Sequence, residues 1–373
     1  MLTLTPADAV YAGERFIDYM NKFTKIDEYF RMRKIDRINS LPHTLDGFGF
    51  EEDLFSDFNM HPNDMEFGIR IIPSTAFDTM LEMTASFTYE QSPGKEIKLA
   101  IVEKNSGKYV GFIKLASPLI TSKPRNDWLG RVPDLTLFNK HTMMGYVIVP
   151  TQPFGYNYLG GKLLALICTS HEVREMINDK YPGMQTCLFE TTSLYGSIKG
   201  NSQYDGLKPF LRHSGDTESK FLLTLSDDFY KEMNEWFIEK NADEPIVPYG
   251  VSSRKLKIQS TMVGIIKRSL KDTDKKMYNK FSDAVKSSTD ITTQKRFYMS
   301  TYGFQNSREV ILGITDKLIP NKENYDKHHM ENIIKWWKGK ASSRYENLIT
   351  DGRVRRDLEI WNSETMNKID IIR

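Results

Sequence analysis

The chain has 373 residues, of which 39% are hydrophobic and 27% charged, and its net charge is +2. These proportions exclude disordered and fibrous classes and predict a globular protein of two or three domains. No apolar run reaches the roughly 18–20 residues of a membrane span. The start lacks a signal-peptide pattern and the only cysteines are Cys168 and Cys187, so we expect a cytoplasmic protein without a disulfide framework and without a membrane.

The charge is distributed unevenly along the chain. Residues 251–373 contain 25 Lys and Arg against 15 Asp and Glu, a net charge of +10, so the remainder carries −8. A basic C-terminal third predicts a polyanionic partner such as nucleic acid. The alternative is a solvated, lysine-rich helical surface.

Periodicity predicts helices before the middle of the chain. Residues 1–40 are predicted helical, with Thr5 as the cap and Pro6 at the first helical position. Residues 41–66 are rich in Phe, Gly, Asp and Asn and predict an irregular loop. A short helix is predicted over Ser74–Phe87.

The middle of the chain alternates strands with a helix. The predicted elements are a hairpin of Lys98–Glu103 and Tyr109–Leu115, a strand Met144–Val149, a helix from about Leu159 to Asp179, a strand Thr186–Thr192 and a late strand Lys220–Leu225. Strand, helix, strand is a βαβ unit, so the strands around Val147 and Leu188 should be parallel neighbours that separate near their C-terminal ends. From about Ser252 the chain is predicted to be mostly helical.

A glycine-bearing segment follows the strand that ends at Pro150. Gly155, Gly160 and Gly161 allow close approach of the backbone, and Lys162 adds a positive charge. Amides at a helix start attract anions, so a phosphate site is one interpretation. The other is that these glycines only permit tight packing of a helix on the sheet.

The order of these elements resembles the GNAT family of N-acetyltransferases, whose loop binds the pyrophosphate of coenzyme A through a Gln/Arg-x-x-Gly-x-Gly/Ala pattern. The corresponding stretch here is Asn157-Tyr-Leu-Gly-Gly-Lys162, with Asn at the first position and Lys at the last. The resemblance implies acetyl-CoA or a related acyl donor, held by Val147, Val149, Gly155, Asn157, Leu159, Gly160, Gly161 and Lys162.

A narrower resemblance covers about 125 residues. Asp127-Trp-Leu-Gly130, Met144–Pro150, Lys162–Leu166 and Leu188–Thr191 resemble the domain of the Druantia anti-phage protein DruA, which is similar to the phage DNA-modifying protein Mom. The resemblance implies an α/β fold with a mixed twisted sheet. We expect the chain to divide into a helical N-terminal segment (1–90), an acetyltransferase-like core (91–250) and a basic helical region (251–373).

Four residues are candidates for catalysis. Glu190 lies on the strand after the predicted helix, and a half-buried carboxylate there is either a general base or part of a structural ion pair. Tyr195 and Tyr204 flank a Gly-rich stretch, and in the acetyltransferase fold a Tyr after this strand often protonates the departing thiolate. Ser193 is a further polar contact. Cys168, His171 and Cys187 match no strong zinc pattern, so no metal is predicted.

The C-terminal third interleaves cations with aromatic rings. Such residues neutralise phosphates and stack on exposed bases; the alternative is a small helical core with lysines reaching outward. Because adjacent tryptophans cannot both face inward, Trp336 or Trp337 is expected to be exposed. The predicted nucleic-acid-binding residues are Lys335, Trp336, Trp337, Lys338, Lys340, Arg344, Arg353, Arg355 and Arg356.

Together these features favour an acyltransferase-like enzyme that modifies nucleic acid, connected with phage DNA modification or defence. One alternative is a non-enzymatic nucleic-acid-binding protein that keeps the fold. The other is an acetyltransferase that acts on protein or small molecules.

Overall fold

The computed structural model describes residues 2–41, 49–88, 94–193, 202–217, 223–248, 255–292 and 296–370. The helices are α1 (Pro6–Met20), α2 (Ile26–Ser40), α3 (Ser74–Thr84), α4 (Lys123–Leu129), α5 (Leu135–His141), α6 (Phe154–Tyr158), α7 (Gly160–Ile167), α8 (His171–Lys180), α9 (Asp227–Lys240), α10 (Lys255–Lys271), α11 (Lys275–Asp290), α12 (Ser307–Ile311), α13 (Lys322–Tyr325) and α14 (Met330–Thr350). The strands are β1 (Phe67–Ile71), β2 (Glu96–Glu103), β3 (Lys108–Ala116), β4 (Thr142–Pro150), β5 (Leu188–Ser193), β6 (Arg212–Asp216) and β7 (Arg296–Ser300).

The chain forms two compact units, and each combines segments that are distant in sequence. One unit contains residues 1–39 and 219–293, and the other contains residues 40–218 and 294–373. The division expected from the sequence was consecutive along the chain, because charge and periodicity carry no signal for contacts between its two ends.

The first unit is helical. Thr5 accepts a hydrogen bond from the amide of Asp8 and Pro6 is the first residue of α1, which confirms the predicted start of this helix. Phe16 of α1 packs edge-on against Phe229 of α9 and Phe281 of α11, with ring centroids 5.6 and 6.4 Å apart. These rings lie in a core that α1, α9, α10 and α11 share.

The second unit is built on a mixed sheet of seven described strands in the order β1–β2–β3–β4–β5–β7–β6. Every pairing is antiparallel except that of β4 with β5. This arrangement confirms the predicted mixed α/β class. Strands β1, β6 and β7 were not predicted.

Strands β4 and β5 pair over only four residues. The parallel register runs from Thr142 opposite Leu188 to Gly145 opposite Thr191. Beyond that point β4 continues along β3 as far as Pro150 and β5 continues along β7 to Ser193. The two strands therefore separate at their C-terminal ends, as the sequence predicted.

A β-bulge marks the place of separation. Lys114 of β3 lies opposite Val147 of β4, whereas Leu115 lies opposite Gly145, so Tyr146 is the extra residue. A bulge leaves its residue outside the regular pairing and re-aims the side chain. Tyr146 is 36% exposed, although its neighbours on β4 are buried.

The helix predicted from Leu159 to Asp179 is two helices. α7 ends at Ile167, and Ser170 caps α8 by accepting a hydrogen bond from the amide of Val173. A cap of this kind starts a new helix, which hydrophobic periodicity alone does not show. The late strand predicted over residues 220–225 is not seen in the described part, 223–225, and residues 220–222 lie outside the described residues.

Candidate active site and candidate nucleic-acid interface

Glu190 lies on β5, beside the point where β4 and β5 separate, and its partner is Arg125 of α4. Arg125 Nη1 is 3.1 Å from Glu190 Oε2, and both side chains are at most 1% exposed. Burial raises the pKa of Glu190 to about 7, while the positive charge of Arg125 acts in the opposite direction. The guanidinium also lies 4.0 Å from the ring centroid of Phe138. The predicted carboxylate is thus the acidic half of a buried ion pair.

Tyr146, the extra residue of the β4 bulge, follows Met144, the register partner of Glu190, by two residues. Burial raises the pKa of its hydroxyl, and the negative charge of Glu190 raises it further. Sequence reasoning missed both Arg125 and Tyr146, since neither carries a local motif.

Tyr204, another predicted catalytic residue, lies on the other face of the sheet from Glu190. Tyr204 is 6% exposed, and its ring centroid is 5.3 Å from that of Tyr298. Tyr298 pairs with Thr191, which alternates with Glu190, so Tyr204 lies on the opposite face of the sheet. Ser193 is buried at the end of β5. Tyr195 lies outside the described residues.

The glycine-bearing segment is filled by the protein's own side chains. A Cβ on Gly160 would lie 2.6 Å from the ring of Phe154, and a Cβ on Gly161 would lie 2.3 Å from Gln203 Oε1. Lys162 Nζ donates to the backbone oxygens of Gln203 and Asp205 at 3.0 and 2.6 Å. Val147 and Val149 are buried in the core. These residues therefore do not fit the pyrophosphate of coenzyme A, and the contacts favour the packing interpretation.

The C-terminal segment covers the same region. Asn157 is fully buried; its Nδ2 donates to the oxygen of Arg355 at 2.7 Å, and its Oδ1 accepts from the amide of Arg355 at 3.1 Å. The amide of Glu359 donates to the oxygen of Gln152 at 3.1 Å. Asn157, predicted to bind a cofactor, instead fixes the backbone that carries the arginines of the predicted nucleic-acid interface.

Cations and aromatic rings alternate along one side of α14. Lys340 Nζ lies 5.9 Å from the ring centroid of Trp336, and Arg344 is one further turn along the helix. The Arg344 and Arg355 guanidinium carbons lie 4.9 and 4.0 Å from the ring centroid of Tyr156. At the other end, the rings of Trp336 and Phe210 meet edge-on at 5.7 Å. We call this set the aromatic–basic row: Phe210, Trp336, Lys340, Arg344, Tyr156 and Arg355.

Within the row, the guanidinium of Arg344 contacts the ring of Tyr156 and has no acidic partner among the described residues. It makes no ion pair with the described residues, and its Nε is buried without a hydrogen-bond partner. Arg355 by contrast donates to Glu359 at 2.8 Å. Two guanidinium groups on one ring repel each other, so an anion beside Arg344 would relieve the repulsion.

The remaining predicted nucleic-acid residues differ in their surroundings. Trp337 is fully buried and its Nε1 donates to the oxygen of Tyr158 at 3.0 Å, so the expectation that it stacks on bases is wrong. The other four are cations at the surface: Lys335 is exposed, Lys338 donates to the oxygen of Asn63, Arg353 pairs with Asp351 and Arg356 donates to Asn59.

The candidates for metal ligation do not assemble. Cys168 and Cys187 are both buried and free. His171 stacks on Tyr325 with ring centroids 3.8 Å apart. The described residues contain no group of three His, Cys, Asp or Glu placed to hold a metal ion.

The fold and site define a mixed α/β protein with a short parallel strand pair, a buried Glu–Arg pair and a surface row of cations and rings. The family model DruA, described as Druantia protein DruA, matches residues 73–279, more than half of the chain. The chain therefore belongs to the DruA family. No curated protein and no solved structure matches it. No helix among the described residues combines the length and apolar character needed to cross a membrane.

Proposed function

We propose that this DruA-family protein binds single-stranded nucleic acid through the aromatic–basic row and does so in defence against phage. The row is the observation that carries the proposal. Proteins that hold single strands combine a positive surface along the backbone with aromatic rings on which unpaired bases stack. Lys340, Arg344 and Arg355 supply the charge, and Trp336, half-buried against Phe210, supplies a ring.

The Druantia connection comes from the description of the family that matches the chain. It supports placing the binding activity in anti-phage defence, where invading nucleic acid is the natural target. Residues 294–373, the C-terminal part of the unit that carries the row, contain 15 Lys and Arg against 11 Asp and Glu, a net charge of +4, which also favours a polyanionic ligand.

A charge reversal within the row tests the proposal. The double variant Lys340→Glu, Arg344→Glu should bind a labelled single-stranded 20-nucleotide DNA at least about tenfold more weakly than the wild-type protein. The slope of log affinity against log salt should also decrease by about 1.4, since each lost phosphate contact on a single strand contributes about 0.7. Fluorescence anisotropy at several salt concentrations measures both quantities.

The matched control is Lys275→Glu, Lys276→Glu, which changes the net charge equally at exposed positions of α11. It should bind almost as well as the wild-type protein. If the two double variants lose the same amount of affinity for the strand, binding depends on the net charge of the protein and not on the row. Unchanged affinity in the row variant would contradict the proposal.

A second candidate function is an enzyme that modifies the bound strand. The separation of β4 from β5 supports it, because this separation is what the strand–helix–strand order predicted and the same order underlies the acetyltransferase resemblance. In this proposal Glu190 acts as a general base beside Tyr146. Since Gly160–Lys162 do not fit an acyl-CoA, the donor would have to bind elsewhere.

Mass spectrometry of nucleosides from DNA of expressing cells tests the second candidate. A modified nucleoside should decrease about 10²-fold or more when Glu190 can no longer accept a proton. The double variant Glu190→Gln, Arg125→Met removes both charges and so avoids leaving an unpaired buried cation. Absence of any modified nucleoside, or equal amounts with this variant, would exclude Glu190 as a base.

A further inference from the structure

A cavity of about 250 Å³ opens at the Phe210 end of the aromatic–basic row. Its walls come from the loop before β6, the end of β7, and the segments around α13 and α4. Phe210 both lines this cavity and contacts Trp336 of the row. A strand that follows the row therefore reaches the mouth of the cavity, which we call the Phe210 cavity.

The size of the Phe210 cavity restricts its ligand. Sites for drug-sized ligands measure about 300–1,000 Å³, so a cavity of about 250 Å³ suits a single base or nucleoside better than a larger cofactor. Three aromatic side chains lie in its wall, Trp128, Phe210 and Phe304. Aromatic faces are the surfaces on which an isolated base stacks.

Three side-chain amides, those of Gln305, Asn321 and Asn324, are among the polar groups of the wall. Asn324 uses its Oδ1 to accept from Lys327, and Asn321 uses its Oδ1 to accept from the amide of Asn324. Their Nδ2 groups, and the whole amide of Gln305, make no hydrogen bond to the described residues. Side-chain amides whose N–H groups have no protein partner can form hydrogen bonds with the edge of a base.

His328 adds an acceptor to this set. It is 3% exposed, and its Nδ1 donates to the oxygen of Thr169 at 2.7 Å. The neutral ring then has Nε2 as an acceptor, and this nitrogen makes no hydrogen bond to the described residues. Burial lowers the pKa of His328 to about 4, so the ring stays neutral at physiological pH.

The charge of the wall is compatible with a phosphate-bearing ligand. None of the described residues that line the cavity is Asp or Glu, and Arg212, which is exposed, is one of them. Arg212 makes no side-chain ion pair with the described residues. A phosphate next to a bound base would meet a cation and no carboxylate.

We propose that the Phe210 cavity binds one unpaired nucleobase of the strand that lies on the aromatic–basic row. The base stacks on the aromatic wall, and Gln305, Asn324 and His328 hydrogen-bond to its edge. The inference rests on the proposed function, because the strand has to lie on the row for one of its bases to enter the cavity. It means that the protein recognises a single base as well as the phosphates.

Abasic substitution tests the proposal on the full chain. A single-stranded DNA that lacks one base at successive positions should bind the wild-type protein about tenfold more weakly at one position, in line with the stacking of one base. The double variant Gln305→Ala, Asn324→Ala should bind the intact strand about tenfold more weakly and should show no further loss at that abasic position. Asn279→Ala, at an exposed site on α11, should behave like the wild-type protein.

Titration with each free nucleoside 5′-monophosphate, followed by tryptophan fluorescence, separates this proposal from the proposed function. Saturable mononucleotide binding that the double variant abolishes supports the cavity even if strands do not bind to the row. Strand binding that depends on Lys340 and Arg344, with less than a twofold effect at every abasic position, overturns the cavity and keeps the row. No binding of either ligand overturns both. Circular dichroism and the melting temperature confirm that the variants fold.

Discussion

The glycine-bearing segment and the aromatic–basic row contain the residue types that bind phosphate, yet the structure uses them differently. Gly160 and Gly161 are buried against Phe154 and Gln203, whereas Lys340 is exposed on α14 and Arg355 is exposed beyond its C-terminal end. The two regions meet at Tyr156, which follows one glycine in sequence and lies under two arginines in space. The comparison shows that glycines in a loop indicate a ligand site only where the space next to their backbone is not already occupied by other side chains.

The largest expected effect concerns two adjacent tryptophans. Trp337 is buried in the core, whereas Trp336 belongs to the aromatic–basic row. Trp337→Ala should lower the free energy of unfolding by about 4 kcal/mol, because it empties a fully buried site and removes the hydrogen bond to Tyr158. Trp336→Ala should cost less stability and weaken strand binding. Denaturant unfolding and anisotropy measure the two quantities. Similar losses of unfolding free energy in both variants would contradict the assignment of Trp337 to the core and of Trp336 to the row.

A pH effect follows from His328, which lines the Phe210 cavity and contacts the ring of Phe210. Burial lowers the pKa of His328 to about 4 from its ordinary 6.5. The unfolded state therefore binds the proton first, so the contribution to stability is present above pH 6.5 and is lost as the pH falls towards 4. The full loss is about 3 kcal/mol at 1.36 kcal/mol per pKa unit.

The comparison of wild-type protein with His328→Gln isolates this contribution. The difference in unfolding free energy between them should shrink as the pH decreases from 7 to 4, because the variant has no proton to gain at this position. A difference that stays constant over that range would show that His328 is not held neutral by burial.

A smaller effect distinguishes two helical glycines. A Cβ on Gly160 meets the ring of Phe154, whereas a Cβ on Gly339 meets nothing within 4 Å. Gly160→Ala should therefore cost about 2 kcal/mol through overpacking, and Gly339→Ala should stabilise by about 1 kcal/mol through better helix propensity. Thermal unfolding of both variants measures the contrast. Stabilisation by Gly160→Ala would indicate open space at the segment and restore the phosphate interpretation.

Much of the fold was predictable because its signals are local. The hairpin of β2 and β3, the cap of α1 by Thr5 and the strand–helix–strand order around β4 and β5 all follow from neighbouring residues. Strands β6 and β7 were not predicted. The short β6 contains Ser214 and Gly215, and β7 lies in the segment that was predicted to be mostly helical.

The site was predictable in composition and not in arrangement. The predicted cations and rings of α14 do form a row, but only the packed helix shows that Trp337 faces the core and Trp336 does not. Arg125, the partner of Glu190, is 65 residues away in sequence. The Phe210 cavity joins four separate segments, so no local pattern points to it.

Photo-crosslinking is the most direct test of the central claim that the row holds a single strand. A DNA strand substituted with 5-bromouracil should crosslink, on irradiation, to peptides that contain Trp336, Tyr156 or Phe210. Peptide mass mapping identifies the attachment sites, and excess unlabelled strand should compete with the reaction. Crosslinks confined to residues outside the row, or none at concentrations where anisotropy shows binding, would contradict the account.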